Sequence, residues 1–358
     1  MATDCYIQGI GAAVPTRFIA ASETEKMFGP TMPNPRSAKL LQRVARLTGI
    51  ERRHLAALDY VGDGVATPLY QPSNVQPRGP GMDARTAVFL DAAAPLVEKS
   101  LGAFSHEQLS HVGALITVTC THAASPGLEQ PIFECSPVPH SAQRWNLGFM
   151  GCSAGLAALR LVRGAASENA RSSLILACEL SSLHFQYTDE LDQLTANLLF
   201  ADGCAAVLLS NKRTPVRVVD CACLTLPAAA TQMTWFAGNH GLQLTLSQDL
   251  PDTLAAHIRP AIESFLARSH TPLDQIDHWV VHPGGPQILD SIEQSMKLAP
   301  EALRWSRDIL RRYGNMSSPT VFFILRELLQ AQQTGRVLMA AFGPGLTIEL
   351  ALLEVRDL

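Results

Sequence analysis

Nowhere in the 358 residues does an apolar run approach the ~20 residues needed to span a bilayer; stretches such as 112–118 fall far short. The beginning, MATDCYIQGIGAAVPTR, lacks a basic region followed by a long apolar run and a small-residue cleavage site, so no secretory signal is visible. Long runs of like charge are missing too. With a net charge of -4 and a pI near 6.3, there is no electrostatic reason to expect nucleic acid. The expectation is a cytoplasmic globular protein without a membrane span. Its eight cysteines (5, 120, 135, 152, 178, 204, 221 and 223) are scattered as thiols in a reducing compartment are, not as a disulfide framework. Cys221 and Cys223 lack a second Cys or His pair at zinc-site spacing, so no metal is expected.

Hydrophobic residues make up 47% of the chain, enough to cover one large domain or two intimately packed ones. Apolar, β-branched stretches bounded by turn residues predict buried strands at 7–10, 112–118, 174–178, 205–209, 279–281 and 337–341. Helical patterns lie between them, at 38–47, 85–101, 154–166, 252–268 and 320–332. This alternation means α/β. Residues 61–81, rich in Gly and Pro without a steady period, read as a loop held by its surroundings. The better boundary lies near 211–216, dividing the chain into halves 1–213 and 214–358, with no internal repeat aligned by eye.

The most informative stretch is WNLGFMGCSAGLAALR, residues 145–160. Small residues surround Cys152 and a helical pattern follows at once. Free amides and the positive dipole end of a helix stabilise a thiolate, and Gly151 and Gly155 permit a tight turn and close approach of a substrate. Cysteine is also a common core residue, so GCSAG alone does not separate a nucleophile from a packed thiol. Two further segments supply partners: WVVHPGGP, with His282 just after a strand, and YGNMSSP, with Asn315 in a turn before a helix. Either residue alone has an ordinary structural explanation.

In order along the chain, GCSAG, LFADG (199–203), HPGGP, YGNMSSP and AFGPGLTIE (341–349) resemble the successive motifs of type III polyketide synthases, from about residue 80 onward. The resemblance implies a thiolase fold, two αβαβα halves packed as a five-layered core, in a homodimer that condenses malonyl-CoA onto an acyl-CoA starter. It implies a catalytic triad of Cys152, His282 and Asn315. Phe200 corresponds to a gate aromatic, and Cys120, Thr121, Ser181, His184, Trp235, Leu244, Ser317 and Pro344 to substrate-binding positions. Phe149 is a further candidate for the tunnel wall. Ser125 stands where many relatives insert a larger residue from the neighbouring subunit.

For CoA, Lys39, Arg43, Arg46, Arg52 and Arg53 offer cations, but only Arg43 matches a family CoA position, with Leu40 and Leu47 standing where plant relatives carry lysines. No cofactor beyond the CoA thioesters is implied. His184, Trp235 and Leu244 depart from the chalcone synthase pattern, and residues 233–247 are similar to microbial members that make alkylpyrones and alkylresorcinols. The implied reaction is iterative decarboxylative Claisen condensation, closed to a pyrone or a resorcinol-type ring. The alternatives are a ketoacyl synthase III-like enzyme that stops after one condensation, and a noncatalytic acyl-CoA-binding member of the fold.

Overall fold

The computed structural model describes residues 4–34, 37–59, 69–165 and 171–357. The first part of the irregular segment expected at 61–81 and the end of the helix expected at 154–166 lie outside these residues. In chain order the strands are β1 (Tyr6–Ala13), β2 (Phe18–Ala20), β3 (Arg52–His54), β4 (Val112–Thr119), β5 (Gln143–Gly148), β6 (Ser172–Leu180), β7 (Asp202–Ser210), β8 (Val216–Thr225), β9 (Met233–Gly238), β10 (Gly241–Leu246), β11 (His278–Val281), β12 (Gly335–Gly343) and β13 (Thr347–Val355). The helices are α1 (Thr24–Phe28), α2 (Ala38–Leu47), α3 (Met82–Ala87), α4 (Phe89–Leu101), α5 (His106–Ser110), α6 (Glu129–Cys135), α7 (Ala154–Ala165), α8 (Leu191–Leu199), α9 (Leu250–Arg268), α10 (Pro286–Met296), α11 (Arg304–Tyr313) and α12 (Thr320–Gln330).

Nine strands form one sheet in the order β11-β12-β13-β8-β1-β7-β6-β4-β5. Its two parts meet where Tyr6 and Ile7 of β1 pair with Arg217 and Val216 of β8. Between the parts lie α7 and α12, which touch each other and strands of both. Outside one part, α4 covers β1, β6 and β7 with α6 beside it; outside the other, α9 packs on β13 with α10 alongside. Helix, sheet, helix, sheet, helix: this is the expected five-layered arrangement.

Burial on both faces explains why the strands read as unbroken apolar runs. In β12, Val337, Met339 and Ala341 face one core while Leu338, Ala340 and Phe342 face the other. In β13 the same period of two sends Ala351, Leu353 and Val355 to the first core and Ile348, Leu350 and Leu352 to the second. All six expected strands form, each a little longer than its apolar run.

The helix expected at 85–101 is instead two. A turn at Val88 separates α3 from α4, and α3 drops the fully buried Arg85 into the core, where its guanidinium donates to the carbonyls of Pro80, Leu183 and Phe185. Several elements were not anticipated: β5, whose residues are mostly exposed, the hairpin β9–β10, and helices α8, α10 and α11.

Candidate active site

Cys152 lies in the single 3₁₀ turn Gly151–Ser153 that runs directly into α7, at the positive end of that helix. The turn is built by close approach. Gly151 has φ +64°, and a Cβ there would come within 2.4 Å of Pro344. A Cβ on Gly343 would fall 2.2 Å from the Ser153 hydroxyl and 2.5 Å from the Met150 carbonyl. The Gly343-Pro-Gly345 loop thus presses its backbone against the turn that presents the cysteine.

His282 follows β11, and its N–H continues the ladder to the Ala340 carbonyl at 2.8 Å. Both ring nitrogens are buried without a hydrogen-bond partner, and burial pushes the imidazole down to about 3. Burial likewise pushes the Cys152 thiol up to about 12, opposed by bonding to Ser317 and Asn315. Burial thus favours the neutral form of both groups, and ionising the thiol requires passing its proton to a neighbour.

Asn315 comes from the turn between α11 and α12. Its N–H donates to the Leu199 carbonyl (3.0 Å) and its carbonyl accepts from Ala201 (2.8 Å), a bridge that places it beside Phe200. The Ser317 N–H donates to Asn315 Oδ1 at 2.8 Å, which fixes the amide orientation because only oxygen can accept there. Cys152 Sγ stands 4.0 Å from the same oxygen. Nδ2 remains as a donor. Ser317 holds φ +60° within this turn, an uncommon conformation for a non-glycine residue and one found at functional sites.

All three side chains line one cavity of about 530 Å³. Its lining is largely apolar, with Leu191, Leu199, Leu246, Leu250, Leu254 and Ile288 among the lining residues. Leu47, 71% exposed, is also among the lining residues and gives the cavity an apolar rim.

Residues 63–266, more than half of the chain, match the family described as FAE1/Type III polyketide synthase-like protein, and residues 218–356 match the chalcone and stilbene synthase C-terminal domain. The chain belongs to the type III polyketide synthases. Among curated relatives is the "Alpha-pyrone synthesis polyketide synthase-like Pks18" of Mycobacterium tuberculosis, 27% identical over 369 residues, covering 99% of this chain and 92% of the relative. The same protein of Mycobacterium bovis matches equally. Among solved structures, PKS-I from the brown alga Ectocarpus siliculosus superposes with a TM-score of 0.91 at 26% identity, over 99% of each chain. The C-terminal type III polyketide synthase domain of Dictyostelium Steely1 shares the fold, with a TM-score of 0.86 at 23% identity over 98% of this chain and 99% of that one. The protein is accordingly a malonyl-CoA-condensing acyltransferase of this family.

Within the family framework, Cys120, Thr121, Ser181, Phe200, Trp235, Leu244, Ser317 and Pro344 all line the cavity of Cys152. His184 does not. Its Nε2–H donates to the Thr121 carbonyl (2.8 Å) and its Nδ1 accepts the Leu242 N–H (3.3 Å), so both ring nitrogens are spent on backbone. Phe149 is also outside the cavity, 48% exposed at φ +57°. Arg43 is exposed on α2, next to the lining residue Val44 but not itself in the wall. Arg53 is buried behind the site, donating to the carbonyls of Asn197 and Phe200, which removes it from any CoA surface.

One residue that the sequence reading missed is Glu179. Fully buried at the end of β6, it accepts from the Cys120 N–H (3.0 Å) and from the hydroxyls of Thr121 (2.7 Å) and Ser318 (2.7 Å). It ties the strand end beside Cys120 to the Asn315 turn. Burial pushes its carboxyl up to about 7 against these donors. The signal for it was an acid inside the otherwise apolar run LILACEL.

Proposed function

We propose that the protein extends an aliphatic acyl-CoA starter with malonyl-CoA on Cys152 and closes the chain to a pyrone or a resorcinol-type ring. The observation that carries this reading is the convergence of Cys152, His282 and Asn315, from three separate segments, on one largely aliphatic cavity. His282 takes the Cys152 proton, and the thiolate attacks the starter thioester. CoA leaves with that proton, and the acyl group stays on sulfur.

Malonyl-CoA then places its thioester carbonyl between His282 N–H and Asn315 Nδ2. As the carbon–carbon bond to the carboxylate breaks and carbon dioxide leaves, these donors hold the charge of the enolate. The enolate carbon attacks the acyl-enzyme carbonyl and expels the Cys152 thiolate. The product, a β-ketoacyl-CoA, reloads for another round until an enol oxygen or a carbon nucleophile closes the ring. Every step uses the chain's own groups and the two thioesters, without a further cofactor.

An aliphatic starter is supported by the largely apolar lining, to which Trp235, in ring contact with Phe200, and Leu244 belong. Arg43, on the flank of α2 beside the mouth, is the cation proposed for the CoA phosphates. A homodimer is proposed through β5, the outermost strand of the sheet, whose free edge carries Trp145 (39% exposed) and leads to Phe149. The cytoplasm remains the proposed compartment, and a division into two thiolase-like halves near residue 213 the proposed domain plan.

The test is mass spectrometry of products from short, long and aromatic acyl-CoA starters with malonyl-CoA, alongside intact-mass analysis of the wild type and Cys152→Ala. Acyl adducts on the wild type alone, with a ladder of extended products from aliphatic starters, are expected. A wild type that takes up no acyl group overturns the mechanism. A single-extension product on carrier protein points instead to a ketoacyl synthase III-like enzyme.

A further inference from the structure

The hairpin β9–β10 forms a two-stranded sheet of its own. Leu244 pairs directly with Trp235, and Leu246 with Met233, so these four side chains share one face, and all of them line the cavity. The backbone groups of β10 that point away from β9 have no neighbouring strand and need other partners.

Three side chains supply them. Gln186 Nε2 donates to the carbonyls of His240 (3.2 Å) and Leu242 (3.0 Å), and Gln193 Nε2, from α8, donates to the Leu244 carbonyl. His184 Nδ1 accepts the Leu242 N–H while its other nitrogen reaches the Thr121 carbonyl, so the ring spans from the hairpin to the strand end beside Cys120. Trp235 Nε1–H, at 3.3 Å from the Cys120 carbonyl, makes a second connection to that strand end.

We propose that His184, Gln186 and Gln193 are positioning residues for starter selection: in place of a missing strand, they hold the hairpin so that Trp235 and Leu244 form a fixed back wall of the acyl cavity. This rests on the reading of that cavity as the acyl site. Behind the wall lies a second, small cavity of about 30 Å³, bordered by Ser181, His184, Phe200, Trp235, Leu242 and Leu244. The wall has somewhere to retreat once its ties are cut. Burial keeps His184 neutral, pushing it down to about 3, so its tie does not open with pH near neutrality.

Gln193→Glu tests this, since it keeps the shape and removes the donor, and Gln186→Leu removes both bonds to the hairpin together with one to the His184 carbonyl. Trp235→Ala serves as the control that enlarges the wall directly. Each protein is given a mixture of short, long and bulky acyl-CoA starters, and the product ratio is read by mass spectrometry. Malonyl-CoA decarboxylation without starter is read in parallel. Both glutamine variants are expected to shift the ratio of bulky to short-starter products by at least about threefold, within the range that pocket contacts command, while decarboxylation stays within about twofold. Gln193→Lys, which restores a donor, is expected to return the parent ratio.

If Trp235→Ala shifts the ratio and neither glutamine variant does, the positioning role is wrong. A uniform fall in all activities, ratio unchanged, makes the ties merely structural and equally overturns it. If Trp235→Ala leaves the ratio untouched, the cavity is not the acyl site and the underlying reading fails with the proposal.

Discussion

The two sides of the cavity are held by different means. On the catalytic side, Cys152 follows β5 and leads α7, His282 continues a ladder of the large sheet, and Asn315 is bridged through its backbone to residues 199–201. On the hairpin side, Trp235 and Leu244 stand on two strands whose outer edge is satisfied by side chains. Backbone ladders are cooperative and tolerate little displacement; side-chain ties can be exchanged one at a time. The proposed reacting groups are thus held by the backbone of the fold, and the hairpin wall is held by side-chain ties that substitution can release one at a time.

The sharpest way to break this contrast is to remove the donors proposed to hold the thioester. His282→Ala and Asn315→Ala are each expected to lower malonyl-CoA decarboxylation by about 10²–10³-fold, as loss of one oxyanion donor does, without altering the ratio of products from competing starters. Steady-state kinetics and product mass spectrometry check both halves of the statement. A changed product ratio would mean that the catalytic side also selects the chain.

A second test concerns Glu179, the link between the Cys120 strand end and the Asn315 turn. Its folded value of about 7 lies above the ordinary 4.5, so the stability it contributes is fully present below about 4.5 and is lost as pH rises through about 7. The loss amounts to roughly 3 kcal/mol at most. Denaturant unfolding of Glu179→Gln at about pH 5 and pH 8 is expected to show a flatter pH dependence than the wild type. Asp202, pushed up to about 6 by burial, leaves part of the slope in place.

Gly151→Ala addresses the backbone packing of the catalytic side. At φ +64° and with Pro344 at 2.4 Å, the new methyl is expected to cost about 1–3 kcal/mol and to displace the cysteine turn. Urea midpoints measure the first effect, and the rate of Cys152 acylation the second. The smallest effect is expected at the rim: Arg43→Ala should raise KM for acyl-CoA by about three- to tenfold, an exposed cation being worth about 1 kcal/mol, with kcat unchanged. No change in KM would remove Arg43 from the CoA surface.

Period and turn chemistry made much of the molecule legible in the chain. Helix α2 begins and ends where its pattern does, and the strands buried on both faces announce themselves as unbroken apolar runs, as in Val337–Phe342. Strand β5, with exposed residues on both faces, carries no such signal, and neither does the hairpin, whose partner groups are side chains distant in sequence. Ordered motifs likewise brought Cys152, His282 and Asn315 together before any fold was in view.

By itself, then, the sequence determined the α/β class, the family and three residues that the fold brings to one cavity, because these depend on local periodicity and on short motifs that each occupy one turn. Only the tertiary structure decided that His184 spends both ring nitrogens on backbone instead of lining the cavity of Cys152, that Arg53 is a buried strut, and that Glu179 joins the strand end beside Cys120 to the Asn315 turn. A side chain's burial and hydrogen-bond partners come from residues far apart along the chain, and no local pattern encodes which of them will meet.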